Sequence, residues 1–295
     1  MRILVTGTQG QVVRALIERG AAEGVAVETL GRPDYDLLEP SRLVEAISAS
    51  SADVIVNAAA YTAVDKAESE PEIATAINGA AAGAIARAAA SRGAPVIQLS
   101  TDYVFDGALA RPYREDDPLA PINAYGRSKL AGEFAVAAAN PRYVVLRTAW
   151  VYSPFSANFV RTMLRLGETR DTVRVVADQL GSPTSAFDTA DAILAIARRL
   201  TAAPSEASLG GVFHLVGSGE ASWADFAEAI FAQAQRFGRA PVTVARIATA
   251  DYPTPAKRPA NSRLDTGKLR AVYGVSPPDW RDSLAPCVER LMAGR

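Results

Sequence analysis

The chain has 295 residues, 49% hydrophobic and 21% charged, with a formal net charge of −1 and a pI near 6.0. That balance suits one large or two small globular domains with a substantial core, and argues against a general partner among nucleic acids or acidic membranes. A single cysteine, Cys287, excludes an internal disulfide; a single histidine, His214, excludes a Cys/His zinc cluster, and both read as buried residues. In chain order, residues 1–6 read as an apolar, β-branched strand and 11–23 as a helix. Residues 25–30 form a second strand, followed by a helix over 41–50 that Ser41 could cap. Residues 53–58 are a near-continuous apolar strand of the kind buried on both faces. A long helix over 72–91, a strand over 95–100, a helix over 124–139 and a strand over 142–147 complete the first half. This alternation implies an α/β fold with a doubly wound parallel sheet of Rossmann type.

The second half is less regular. Residues 158–166 look helical, 172–177 form a strand, 189–200 an amphipathic helix and 201–211 a polar loop. A strand follows over 212–216, and Ser222-Trp223-Ala224-Asp225 resembles a capping box opening a helix to about residue 237. Prolines 253, 255, 259, 277 and 278 predict a loop-rich remainder. There is no internal repeat and no low-complexity linker. The expected division is a dinucleotide-binding domain over 1–150 and a smaller, intimately packed substrate lobe over 151–295, with segments around 172–200 returning to the first domain. The first apolar run, residues 3–5, is far too short for a signal peptide or a membrane span, so a cytoplasmic enzyme is the expectation.

Tyr125 and Lys129 stand four residues apart, which on a helix puts a phenol and an ammonium on one face. A cation so placed favours the phenolate and should pull the tyrosine below its usual value of about 10. With nine tyrosines and four lysines, about one chain in eight holds such a pair by chance, so the company it keeps matters. Gly7 and Gly10 sit where the first strand turns into its helix, a place suited to a pyrophosphate at a helix N-terminus. The third glycine of that loop pattern is replaced by Val13, at a position that serves helix–strand packing. Thr101 falls at the end of the fourth strand, where open α/β sheets bind ligands, and its hydroxyl could hold a carbonyl that Tyr125 protonates. Singly, each has a plainer reading, a glycine turn or a strand-end hydroxyl capping a turn; jointly and in this order they describe a nicotinamide site.

Arg32, after the second strand, suits the 2′-phosphate of NADPH, whereas an acidic residue there would suit NADH; a solvated surface arginine is the competing reading. Asp36 and Leu37 would then lie by the adenine, and Ala60, Tyr61 and Thr62 beside the middle of the cofactor.

Longer strings carry a resemblance. NAAAYTAVDKAESEP (57–71), STDYVFDG (100–107), PINAYGRSKLAGE (121–133), RTAWVY (147–152), Asn158-Phe159, DQLGSPT (178–184) and YPTPAKRPANSRL (252–264) closely resemble the dTDP-4-dehydrorhamnose reductase family of extended short-chain dehydrogenase/reductases. The resemblance implies reduction of the 4-keto group of a dTDP-linked 6-deoxy sugar with NADPH, or in some members NADH. It implies Tyr125 as proton donor, Thr101 as the residue orienting the carbonyl, and Lys129 on the cofactor side. It also places Gly10, Gln11 and Val12 in the phosphate loop and Asp102 and Trp150 on the sugar nucleotide, with Arg258 and Asn261 at its nucleotide end. Some family members are described as dimers with magnesium at the interface, so a homodimer and Mg2+ enter on resemblance alone; nothing in composition or spacing marks a metal site. Dehydratases of the superfamily follow the threonine with an Asp-Glu pair, whereas here Asp102-Tyr103 follows, which serves elimination poorly. Another sugar-nucleotide reductase or epimerase, and a non-catalytic subunit resembling the regulatory subunit of methionine adenosyltransferase, are the alternatives.

Overall fold

The computed structural model describes residues 1–294. Five strands of the first half, β1 (Arg2–Thr6), β2 (Ala26–Leu30), β3 (Val54–Asn57), β4 (Val96–Thr101) and β5 (Tyr143–Thr148), run parallel in the order β5-β4-β3-β1-β2. Every one ends at the same edge of the sheet, so Thr6, Asn57, Thr101 and Thr148 share a rim. The strand period of two sends alternate side chains to opposite faces. Ile3 and Val5 face one layer with Val54, Val56, Ile97 and Leu146, while Leu4 faces the other with Ile55 and Val96.

Helices cover both faces. α1 (Gln11–Ala22) contributes Val13 and Leu16 to the first layer. α2 (Ser41–Ala49) contributes Leu43 and Ile47 to the second. Ser41 is its first helical residue rather than its cap; Pro40 precedes it with no side-chain capping bond. After the short α3 (Val64–Ala67), the expected long helix is one rod over Pro71–Ala90 with an inserted π turn: α4 (Pro71–Thr75), π-helical Ala76–Ala81, then α5 (Ala82–Ala90). It is the one helix among the described residues long and apolar enough to cross a bilayer, but 56% of its most apolar stretch is buried inside the protein. α6 (Ala124–Ala139) lies against it with the bounds the sequence predicts.

The second lobe begins with β6 (Val151–Tyr152), α7 (Phe159–Leu166) and β7 (Thr172–Val176), then the two-residue strands β8 (Leu180–Gly181) and β9 (Thr184–Ser185). α8 (Ala186–Ala202) starts three residues before the expected 189, because the Ser185 hydroxyl caps it, and packs on α1 in the first layer. The strand at 172–176 does not rejoin the main sheet. It pairs in parallel with β12 (Thr243–Ile247) in a separate two-stranded sheet. β10 (Gly211–His214) instead becomes the sixth strand of the main sheet, beside β5.

β11 (Ala221–Ser222) precedes α9 (Trp223–Gln235), and the capping box is present: Ser222 Oγ accepts from Asp225 N at 3.1 Å, and Asp225 Oδ2 accepts from Ser222 N at 2.8 Å. β12 (Thr243–Ile247), α10 (Gly267–Tyr273) and α11 (Trp280–Ala293) occupy the region read as loop. α11 escapes sequence reading because Pro286 sits inside it, yet Asp279 caps its start and Trp280, Leu284 and Val288 bury its inner face with α9. Cys287 and His214 are both buried, as expected.

Candidate active site

Two side chains define where α6 begins. Asn123 Oδ1 accepts from Gly126 N at 2.7 Å, and Glu68 Oε1 accepts from Ala124 N at 2.7 Å. The helix then lies unusually close to the α4–α5 rod. At Gly132 a Cβ would come within 2.0 Å of the Asn78 carbonyl oxygen, so only glycine permits the approach. Asn78, in the π turn, uses its whole amide. Its Oδ1 accepts from Tyr61 N at 2.8 Å, and its Nδ2 donates to Tyr61 O at 3.0 Å and Ser128 Oγ at 2.9 Å. Nothing in the sequence reading picked out Asn78; the available signal was a lone amide in an otherwise apolar, alanine-rich helix.

This packing brings Tyr125 and Lys129 to the carboxyl end of β4. The Tyr125 hydroxyl faces Thr101, and its ring meets that of Tyr103 edge-on at 5.8 Å. Thr101 Oγ1 donates to Asp102 Oδ1 at 3.1 Å and accepts from Tyr103 N at 3.1 Å, so the turn-capping reading of this hydroxyl and its place beside the tyrosine both hold. Burial pushes the Tyr125 phenol upward and the Asp102 carboxylate adds to the rise, while the Thr101 hydroxyl works against it. The expected depression by Lys129 is therefore overturned: burial and the Asp102 carboxylate set the direction, and Lys129 is not among the influences on the phenol. Asp102 itself is buried with Oδ2 unpaired, and burial carries its carboxyl up to about 7 against the neighbouring hydroxyls of Ser262 and Thr101.

Lys129 is 4% exposed, and its Nζ donates to Leu99 O at 2.6 Å. The same carbonyl accepts from Gln98 Nε2 at 2.8 Å. Gln98 Oε1 accepts from Asn57 Nδ2 at 2.7 Å, and Asn57 Oδ1 accepts from Thr6 Oγ1 at 2.6 Å. A continuous buried row of polar side chains thus crosses the ends of β1, β3 and β4 and terminates at Lys129. None of Thr6, Asn57 or Gln98 was singled out beforehand, because each looked like part of an apolar strand.

The glycine turn lies at the same rim. Gly7 has φ +93°, a conformation that L side chains rarely adopt. Gly10 precedes α1 with no side-chain cap, leaving the first-turn amides of Gln11, Val12 and Val13 without a capping group. Val13 is buried in the first layer, in the packing place that the sequence position suggested. The Gln11 side chain turns to the second lobe, accepting from Ser153 Oγ at 2.8 Å.

Arg32 is exposed and forms no ion pair among the described residues. Asp36 Oδ1 accepts from Leu38 N at 2.9 Å, and Leu37 packs on the second layer. Ala60 is half-buried and Thr62 exposed beside Tyr61, whose hydroxyl donates to Glu70 at 2.8 Å.

Trp150 has φ +50°, unusual for any aromatic residue, and stacks on Trp223 with ring centroids 3.6 Å apart. It bridges the clusters on either side, one holding Val104 and Phe105, the other α7 and α9. Trp223 was missed by sequence reading, having been read only as part of a helix start. Arg258 forms a two-pronged pair with Asp65, both contacts at 2.8 Å, and Asn123 donates to Lys257 O at 2.9 Å, so the late segment straps the start of α6. Asn261 is spent on structure, donating to Leu109 O at 2.7 Å and Arg111 O at 2.8 Å. Among the described residues no cluster of three or more His, Cys, Asp or Glu could hold a metal ion.

A parallel, doubly wound sheet with a glycine turn after β1 and a Tyr-x-x-x-Lys helix meeting the end of β4 defines a short-chain dehydrogenase/reductase-type protein. Comparison with known families narrows this. Residues 1–293 match the family described as the RmlD substrate binding domain, and the chain belongs to that family. It is similar to the dTDP-4-dehydrorhamnose reductase of Sinorhizobium fredii, 52% identical over 292 residues that cover 99% of this chain and 98% of that protein. Among solved structures it resembles a dTDP-4-dehydrorhamnose reductase from Clostridium acetobutylicum, with TM-score 0.89, 38% identity and 99% of both chains covered. It also resembles the Bacillus anthracis reductase in complex with NADP, with TM-score 0.89, 34% identity, and 100% of this chain and 99% of that one covered.

Proposed function

We propose that this chain reduces the 4-keto group of dTDP-4-dehydro-L-rhamnose, giving dTDP-L-rhamnose and NADP+. The observation that carries the reading is the meeting of Thr101, Tyr125 and Lys129 at one strand end, in a chain 52% identical to a protein that bears that reductase name. The residues fit NADPH: Gly7 in its left-handed turn and the uncapped amides of α1 suit a pyrophosphate, and unpaired Arg32 suits a 2′-phosphate. Among the described residues no group of His, Cys, Asp or Glu fits a metal ion.

When bound, NADPH supplies the hydride. Thr101 directs its hydroxyl at the keto oxygen, and Tyr125 gives that oxygen its phenolic proton as charge builds there. The upward push on the Tyr125 phenol keeps the proton in place until it is needed. Lys129, held at the end of the polar row one helical turn from Tyr125, would hold the ribose of the cofactor through its ammonium. Asp102 and Trp150 line the sugar side, with Trp150 held rigid by its stack on Trp223. In this reading residues 1–150 hold the dinucleotide and the remainder chiefly the sugar nucleotide, in the cytoplasm, with two copies associating.

The test mixes purified chain, NADPH and enzymatically made dTDP-4-dehydro-L-rhamnose, following loss of reduced-nicotinamide absorbance and identifying the product. Rapid loss with dTDP-L-rhamnose formed is expected. NADPH binding without turnover would move the assignment to a different keto sugar.

A further inference from the structure

Glu133 stands one helical turn beyond Lys129 on α6 and is as deeply buried, 4% exposed, as is its partner Arg147 on β5 at 2%. Its two oxygens are fully engaged. Oε1 accepts from Ser100 Oγ at 2.5 Å and from Arg147 Nε at 3.0 Å, and Oε2 accepts from Arg147 Nη2 at 2.7 Å. Ser100 and Arg147 are direct register partners on β4 and β5, so the clamp is built into the sheet. All of these donors converge on one buried carboxylate, which pairs with the Arg147 guanidinium at 2.7 Å. Arg147 in turn donates to Glu115 O at 3.4 Å, and Glu115 accepts from His214 N at 3.0 Å, which closes the arrangement on the side of β10.

Lys129, by contrast, has one neutral partner, the Leu99 carbonyl. Burial pushes its ammonium down to about 8, and the Glu133 charge is what pulls it back up. The other charged and titratable groups around α6 do not replace it. Asp102 and Tyr103, on the turn after β4, are themselves pushed toward neutrality by burial. Tyr125 on α6 is likewise kept protonated. Arg147 faces Glu133 and is neutralised by it. Glu68 is committed to the first turn of the helix, Glu70 to Tyr61 and Lys66, and Arg258 to Asp65.

A buried ion pair is a poor way to tie a helix to a strand, because apolar residues of equal volume often do so at no loss. Its persistence beside Lys129 points to use of the charge. We propose that Glu133 is a positioning residue for charge: clamped by Ser100 and Arg147, it keeps Lys129 an ammonium at working pH in a site otherwise too dry to hold one. This rests on the role given to Lys129 above, and neither the motif nor the relatives' names assign it.

The chain has four lysines, Lys66, Lys129, Lys257 and Lys268, so 13C-lysine labelling lets NMR follow Lys129 through a pH titration. In Glu133→Gln the Lys129 midpoint should fall by about one pH unit or more, with the basic limb of the kcat–pH profile falling in step. Glu133→Asp, which keeps the charge while disturbing the packing as much, should restore most of both. If Glu133→Gln does not fold, the double variant Glu133→Gln/Arg147→Met presents a neutral pair, and the same fall is expected there. A midpoint and basic limb that stay put while only thermal stability drops would overturn the proposal and leave a structural tie. A shifted midpoint in a chain whose wild type turns over no 4-keto sugar would support the charge relation and sink the reductase reading instead.

Discussion

Asn78 and Ser128 meet where two helices touch: Asn78 Nδ2 donates to Ser128 Oγ at 2.9 Å, and that hydroxyl donates to the carbonyl of Tyr125 at 2.8 Å. The π turn that carries Asn78 is therefore tied both to the backbone of the Tyr61 loop and to the turn of α6 that presents Tyr125. Asn78→Ala leaves the part-buried Tyr61 amide and carbonyl without their partner and removes one donor from the Ser128 hydroxyl, so stability should fall by about 1–3 kcal/mol. Turnover should fall as well, because α6 and the loop lose their common register. Chemical denaturation and steady-state kinetics on the same preparation decide it; a variant unchanged in both would show that the clamp positions nothing.

Tyr125→Phe keeps the ring and its edge-on contact with Tyr103 but removes the proton. Turnover should drop by roughly 10²–10⁴, the range for loss of a general acid, with NADPH affinity nearly intact. Pre-steady-state turnover alongside a cofactor titration separates the two effects. Full turnover by this variant would remove Tyr125 from the chemistry.

Arg32→Ala should raise the Michaelis constant for NADPH about tenfold, as expected for one charged hydrogen-bonding partner, while leaving that for NADH unchanged. Equal changes for both cofactors would mean that Arg32 does not meet the 2′-phosphate.

Asp102 gives a pH prediction with a definite sign. Its carboxyl rises from 3.8 to about 7 on folding, so the folded protein keeps a proton that the unfolded chain releases. The stability tied to that proton is complete below 3.8 and is lost as pH rises through about 7. Asp102→Asn, which is neutral at any pH, should match the wild type near pH 4 and exceed it at pH 8 by up to roughly 4 kcal/mol. Its turnover should fall, since the side chain sits beside Thr101 and Tyr125. Thermal unfolding of both proteins at pH 4 and pH 8 is the measurement, and a difference independent of pH would contradict the assigned shift.

Much of the fold was legible because its signals are local. The alternation of apolar strands with helices is written in short windows, and all five strands of the first half appear within a residue or two of expectation. α6 runs over the expected residues because Asn123 caps it and, Gly126 and Gly132 apart, it is rich in helix-favouring alanine, leucine, lysine and glutamate. The capping box at Ser222 was visible for the same reason. Where partners lie far apart in the chain, the reading failed. β7 pairs with β12 some seventy residues later, and no local pattern says that it leaves the main sheet. α11 hid behind Pro286, whose cost is offset by the burial of Trp280 and Leu284 against α9.

The candidate site divides along the same line. By itself the sequence determined the parallel α/β sheet, the order of glycine turn, threonine, tyrosine and lysine along it, and the family, because those depend on residue types and short spacings. Only the tertiary structure decided that the Tyr125 phenol is pushed up rather than down, since desolvation depends on everything packed around it. It alone decided that Asn261 is occupied by the carbonyls of Leu109 and Arg111. It also decided that Asn78, Gln98, Glu133 and Arg147 lie around Tyr125 and Lys129, because hydrogen bonds and buried charge act across distances in space that a linear sequence does not carry.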